Sequence, residues 1–183
     1  MTFPDTSNIC FQRALQFVNH TNRHIFLTGR AGTGKTTFLR YIREHCFKKM
    51  AVVAPTGVAA INAGGITLHS FFQLPFGPFL PTQQAAGDET KVTNEHTLFK
   101  NLKFNSNKRE LLQELELLVI DEVRMMRADT LGAVDTILRH FRRQLSVPFG
   151  GVQVLYIGDL FQLPPVINNE EWNILRSVYK SPF

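Results

Sequence analysis

The sequence predicts an α/β fold, a mostly parallel sheet with helices on both faces. Three observations carry that expectation. Short apolar runs at His24–Thr28, Ala51–Ala54, Leu117–Ile120 and Val152–Ile157 read as buried strands. Between them lie stretches with apolar residues every three or four positions, the mark of amphipathic helices. Glycines and prolines punctuate the boundaries, and strands that alternate with helices favour parallel pairing with both sheet faces covered.

The first helix is expected from Asp5 to Asn19, where Ile9, Phe11, Ala14, Leu15, Phe17 and Val18 form a stripe behind the cap-competent Asp5, Thr6 and Ser7. The first strand runs into a break at Gly29–Gly34. From Lys35 to about Phe47, Thr37, Phe38, Tyr41, Ile42 and Cys46 mark a second helix. Pro55-Thr56-Gly57 ends the second strand, and Val58 to Ala63 reads as a helix that stops at Gly64-Gly65. From about Pro75 to Asn107 the chain is rich in Pro, Gly, Gln, Asn and Thr, which reads as a long excursion with little structure of its own. A helix at Arg109–Leu115 precedes the third strand. Met125 to Arg143 reads as one long helix, with Gly132 inside it at a cost of about 1 kcal/mol against Ala. A short helix near Glu170–Tyr179 follows the fourth strand.

With 183 residues the chain is expected to be one domain, 1–183. Its 44% hydrophobic and 19% charged residues exclude disorder as the main state. Twenty Lys and Arg against fifteen Asp and Glu give a net charge of +5, compatible with a polyanionic partner without requiring one. Cys10 and Cys46 have neither metal-site spacing nor the density of a disulfide scaffold, so both are expected as core thiols in a reducing compartment. Neither a secretory leader nor a membrane span of about 18 apolar residues is evident, and a soluble, cytoplasmic protein is the expectation.

The chemistry concentrates at three strand ends. Gly29-Arg30-Ala31-Gly32-Thr33-Gly34-Lys35-Thr36 matches G-x-x-x-x-G-K-[ST] between a strand and a helix, the context a phosphate-binding loop needs. Glycines let backbone N–H groups wrap a phosphate, Lys35 neutralises it, and Thr36 offers a hydroxyl to Mg²⁺. Asp121 follows the third strand as the expected Mg²⁺ carboxylate, and Glu122 beside it can polarise an attacking water. Gly158-Asp159-Leu160-Phe161-Gln162 follows the fourth strand, with Gln162 expected near the terminal phosphate. His20 and His24 lack the companions of a metal site, and Arg139, Arg142 and Arg143 read as cations favoured at a helix C-terminus.

Taken together, GRAGTGKTT, APTGVAAINAGG, TLHSFF, VIDEV and GDLFQLPPV resemble, in order and spacing, the first RecA-like domain of a Pif1-family DNA helicase of superfamily 1. The resemblance implies ATP and Mg²⁺ as cofactors, with Gly29, Ala31, Gly32, Thr33, Gly34, Lys35, Thr36 and Thr37 around the nucleotide and Gln12 reading the adenine edge. It assigns Thr56, Gly57, Val58, His69 and Ser70 to single-stranded DNA, implies duplex junctions as the place of work, and implies 5′ to 3′ translocation by the complete motor. Phe71 and Phe72 are better read as core. Members of the family usually carry serine where this chain has Arg124. The second RecA-like domain, whose arginines face the nucleotide, is not among these residues, so slow hydrolysis and a monomer are expected of them alone. A RecD- or relaxase-type helicase and a non-motor ATP-dependent loader are the alternatives. APTGVAAINAGG followed by TLHSFF favours Pif1, and the long interval from Lys35 to Asp121 leaves room for DNA-contacting segments.

Overall fold

The structure, a computed structural model, describes residues 8–82, 92–159, 161 and 167–181. Its strands are β1 (Ile25–Thr28), β2 (Met50–Ala54), β3 (Ile66–Thr67), β4 (Phe79–Leu80), β5 (Thr93–Asn94), β6 (Leu117–Ile120) and β7 (Gln153–Gly158). Five of them form one parallel sheet in the order β1-β7-β6-β2-β3, and β4 and β5 pair separately. Its helices are α1 (Ile9–His20), α2 (Lys35–His45), α3 (Gly57–Ala63), α4 (Leu68–Phe72), α5 (Glu95–Asn101), α6 (Ser106–Glu114), α7 (Ala128–Phe141) and α8 (Asn169–Leu175).

The two-residue period of the strands divides the core. Leu118, Ile120 and Val154 face Phe72, Leu112, Val134, Ile137 and Leu138 on one side. Leu117, Val119, Leu155 and Ile157 face Val18, Phe38, Leu39 and Ile42 on the other. Helices therefore cover both faces, as the alternation of apolar runs requires. All four residues of β6 are buried because β7 and β2 flank it and both of its faces are packed.

Several boundaries differ from the sequence expectation. Helix α1 is capped by Asn8, whose side chain accepts from the N–H groups of Cys10 (2.9 Å) and Phe11 (3.2 Å). Asp5, Thr6 and Ser7 lie outside the described residues. The expected core thiols are not both in the core: Cys10 is exposed and Cys46 partly buried. The 75–107 excursion contains β4, β5 and α5 and reaches the start of α6. Asn94 and Thr97 cap α5 reciprocally, each side chain bonding the other's backbone N–H at 2.9 Å. Asn105 caps α6, and Phe79, Leu98 and Phe104 anchor the segment in the core.

The long helix expected over 125–143 is broken. Val123–Met125 form a 3-10 turn, Met126 and Arg127 are extended, and α7 begins at Ala128. The break lets Arg127 bond Asp129 (2.6 Å) and reach Glu171 of α8 (3.1 Å). Gly132 has a packing reason: a Cβ there would lie 2.6 Å from the Tyr179 hydroxyl oxygen. Among the described residues no helix is long and apolar enough to cross a membrane.

Candidate functional site

Because every strand of the main sheet is parallel, the loops after β1, β2, β3, β6 and β7 all leave from one edge. After β1 the chain enters the glycine loop. Gly32 (φ 78°) and Gly34 (φ 92°) adopt left-handed backbone that side-chain-bearing residues avoid. Thr33 donates its hydroxyl to the Arg30 carbonyl at 2.8 Å. Lys35 folds back, its ammonium donating to the carbonyl oxygens of Gly29 and, at 2.9 Å, Arg30. These are neutral acceptors that a phosphate would outcompete.

A cleft of about 340 Å³ opens over this loop. Ala31, Gly32, Gly34, Lys35, Thr36 and Thr37 line one side of it, and Glu122 and Asp159 reach it from the ends of β6 and β7. Asp121, half-buried, accepts from the Glu122 N–H at 3.0 Å. Burial pushes its pKa up; that bond and the Lys35 charge pull it down, while the neighbouring Glu122 charge adds to the rise. A carboxylate so desolvated gains by taking a cation. A single carboxylate together with a hydroxyl such as that of Thr36 is a donor set that suits Mg²⁺, which is held by few protein groups together with water and phosphate oxygens. Among the described residues no cluster of three His, Cys, Asp or Glu forms a metal cage.

Glu122 sits at φ 51°, ψ 40°, a left-handed conformation costing a non-glycine residue about 1–2 kcal/mol. Its carboxylate is bonded by Arg124 Nε at 2.9 Å. The cation that departs from the family pattern thus rests on the carboxylate expected to activate water. The 3-10 turn bearing it packs on Gly158, where a Cβ would meet Val123 at 3.0 Å. Asp159, buried and accepting from the Phe161 N–H at 3.1 Å, is a cleft residue that the sequence reading passed over. Its place after an apolar strand, beside a glycine, was the available signal.

The other expected residues fall into three groups. Gln12 lies on the exposed side of α1 and is not among the cleft-lining residues. That helix leans on α2 through Phe11, whose ring meets those of Phe38 and Tyr41 edge-on at 5.1 and 5.2 Å. Gln162 lies outside the described residues. The expected DNA residues gather at the same edge, since Ala54 and Thr67 are register partners and both segments emerge side by side. Thr56 caps α3 by accepting from the Ala59 N–H, and Gly57 and Val58 are exposed. The Thr67 hydroxyl donates to Ser70 Oγ at 2.8 Å. His69 is half-buried, and burial followed by the Arg127 charge pushes its pKa down. Phe71 and Phe72 are core residues.

Of the discounted side chains, His24, Arg139 and Arg142 have structural work. Val154 N–H donates to His24 Nδ1 at 3.0 Å. Arg139 pairs with Asp135 at 2.7 Å, and Arg142 bonds the carbonyls of Leu112, Leu115 and Gly150.

A parallel five-stranded sheet with a phosphate loop after its first strand and an acidic pair after its central one defines a RecA-like P-loop domain. Residues 6–182 match the family described as PIF1-like helicase, and the chain belongs to that family. It is 37% identical to the ATP-dependent DNA helicase Pif1 of Psychrobacter over 157 residues, 84% of this chain and 21% of that protein. With ATP-dependent DNA helicase PIF1 of Candida albicans it shares 40% over 147 residues, 78% of this chain and 15% of that protein. Bacteroides Pif1 in complex with ADP-AlF4 superposes with a TM-score of 0.83 at 43% identity, over 100% of this chain and 38% of that one. Bacteroides Pif1 bound to single-stranded DNA gives 0.82 at 43%, with the same coverage. The chain therefore spans between about a seventh and a fifth of the length of these curated relatives and under two-fifths of the solved chains.

Proposed function

We propose that residues 1–183 form the first motor domain of an ATP-driven DNA helicase that moves 5′ to 3′ on single-stranded DNA and opens duplex junctions. The observation that carries the reading is the convergence of Lys35, Thr36, Glu122 and Asp159 on one cleft beside Asp121. In this reading Lys35 exchanges the Gly29 and Arg30 carbonyls for the β- and γ-phosphates of ATP, and the loop N–H groups hold the rest of the phosphate chain. Thr36 and Asp121 would hold Mg²⁺, which supplies neutralisation of phosphate charge. Glu122 accepts the proton of the attacking water, Gln162 contacts the terminal phosphate, and Gln12 reads the adenine amide-fashion. Thr56, Gly57, Val58, His69 and Ser70 bear on the DNA strand.

The names of the similar proteins support the reading, as does the pairing of nucleotide and single-stranded DNA among the structures of Bacteroides Pif1. The match along nearly the whole chain supports a Pif1-type motor over a RecD-type helicase or a loader.

Titration with a fluorescent ATP analogue and Mg²⁺ tests the nucleotide half. Lys35→Ala is expected to weaken binding about 10- to 100-fold, the range for a lost charge-assisted hydrogen bond. Equal affinities would remove Lys35 from the site. Single-stranded DNA binding is expected to be weak and to fall with salt, as counterion release requires; a salt-independent affinity would overturn phosphate contact.

A further inference from the structure

Leu74-Pro75-Phe76-Gly77-Pro78-Phe79 connects α4 to β4. Both ends of this loop are tied down. Leu74 and Phe79 are buried, Leu74 N–H donates to the His69 carbonyl at 3.0 Å, and Phe79 N–H donates to Asp129 at 3.0 Å. Asp129 is itself only 2% exposed and bridged to Arg127. The space under the loop is about 10 Å³, no more than a single water would fill. Two prolines and Gly77 at φ 101° stiffen and turn the tip.

Phe76 stands at that tip, 92% exposed. Among the described residues, Phe47, Phe76 and Phe161 are each more than nine-tenths exposed, and of these Phe76 alone has its ring against another. It lies nearly parallel to His69, with centroids 5.8 Å apart and an interplanar angle of 16°. His69 is the second residue of α4, which leaves the sheet edge beside the end of β2. A rigid loop thus holds a flat ring open to solvent on its outer face and backs it with a second ring. A flat, sequence-tolerant platform of this kind, presented to solvent by an anchored loop, suits the π-face of a nucleobase.

We propose that the outer face of Phe76, backed by His69, is a stacking site for one base of single-stranded DNA. The inference rests on the reading of this edge as a DNA surface and adds to it a residue and a mode of contact. Phosphate contacts give salt dependence without reading a base; the Phe76 contact gives a salt-independent increment that requires a base to be present.

The test measures affinity of the 183-residue chain for a thymidine oligonucleotide and for the same backbone with abasic sites, across salt. Phe76→Ala is expected to weaken binding of the base-bearing strand about 5- to 100-fold, to leave the abasic strand unaffected, and to keep the salt slope. Phe76→Trp is expected to retain or tighten binding. Quenching of a 2-aminopurine base on binding is expected with Phe76 and Trp and lost with Ala. If the unaltered protein binds no DNA, the functional reading falls. If it binds with a salt slope but Phe76→Ala leaves affinity and quenching intact, or weakens both strands alike, the stacking site alone is overturned. Melting of Phe76→Ala serves as the control for folding, and an exposed ring predicts no change.

Discussion

The two ends of the same sheet handle polar groups in opposite ways. At the amino end Gln153, Lys48, His24 and Arg142 are closed on protein partners. Gln153, fully buried at the start of β7, donates from Nε2 to the carbonyls of Phe17 (3.1 Å) and Arg23 (2.8 Å) and accepts from Lys48 at 2.7 Å. Lys48 also bonds the Thr21 carbonyl at 2.6 Å, and its pKa is pushed down by burial. Arg142 ties the end of α6 to Gly150, so the connections into β6 and β7 are fixed together. At the carboxyl end, among the described residues, Lys35 donates to neutral carbonyls of its own loop, Asp121 accepts from the Glu122 N–H, and Glu122, paired with Arg124, is held in a left-handed conformation. One end uses polarity to fasten the chain; the other holds it ready for a ligand.

The largest expected effect is at the amino end. Gln153→Leu removes a donor from the Phe17 and Arg23 carbonyls and an acceptor from Lys48, while Phe17 keeps the Thr21 hydroxyl and Lys48 keeps the Thr21 carbonyl, and is expected to cost about 2–3 kcal/mol of stability. Denaturant unfolding measures that loss, while nucleotide affinity of the folded variant stays unchanged. Lys35→Ala is the converse: the large loss of nucleotide binding given above with little change in the unfolding midpoint. If both variants moved both quantities, the division between the two ends would be wrong.

Acid is expected to act on the amino end through His24. Its Nδ1 accepts the Val154 N–H, which requires the neutral ring, and burial lowers its pKa below 6.5, against an opposing pull from Asp135. The unfolded chain therefore binds more protons here than the folded one as pH falls below 6.5, and stability declines over that window. His69, with its lowered pKa, contributes with the same sign from the other end. Melting followed from pH 7.5 to 5 checks this. His24→Gln, which keeps an acceptor but does not titrate, is expected to flatten the decline partly, leaving the share owed to His69.

Much of this arrangement could be read from residue order. Four-residue apolar runs such as Leu117–Ile120, with glycines or acids at their ends, have few physical alternatives, so the sheet, the phosphate loop and the acidic pair were legible. The 75–107 segment was not, because its buried residues Phe79, Leu98 and Phe104 are isolated among polar ones and show no period. Its helix starts were nonetheless written in the Asn caps at 94 and 105. The break at Met126 and Arg127 brings Arg127 to Glu171, some forty residues away, and no local pattern announces it. The Glu122–Arg124 pair likewise follows from a backbone turn and not from a motif.

That pair sharpens the comparison at smaller amplitude. A guanidinium on the Glu122 carboxylate occupies an oxygen that would otherwise be open to the attacking water. Arg124→Ser, which restores the residue usual in the family, is expected to raise ATP turnover about 3-fold with nucleotide affinity unchanged. Single-turnover hydrolysis beside equilibrium binding separates the two, and a fall in turnover would show that Arg124 positions the carboxylate instead of restraining it.

The smallest effect bears most directly on why the carboxyl end differs. If Glu122 is kept in its left-handed conformation for the sake of its side chain, then glycine at that position relieves the strain while deleting the function. Glycine adopts φ near +50° without steric penalty but loses more entropy on folding, so the two terms partly cancel. The exposed share of the Arg124 contact adds little, since such pairs contribute modestly in water. Glu122→Gly is therefore expected to stabilise the fold by about 0.5 kcal/mol while abolishing hydrolysis and leaving ATP binding in place. Gln153→Gly at the opposite end can show no such gain, because that residue is extended and fully bonded. Chemical denaturation of Glu122→Gly beside Glu122→Ala, which deletes the carboxylate but keeps the strain, isolates the backbone contribution. A glycine variant no more stable than the alanine variant would mean that the turn carries no stored strain.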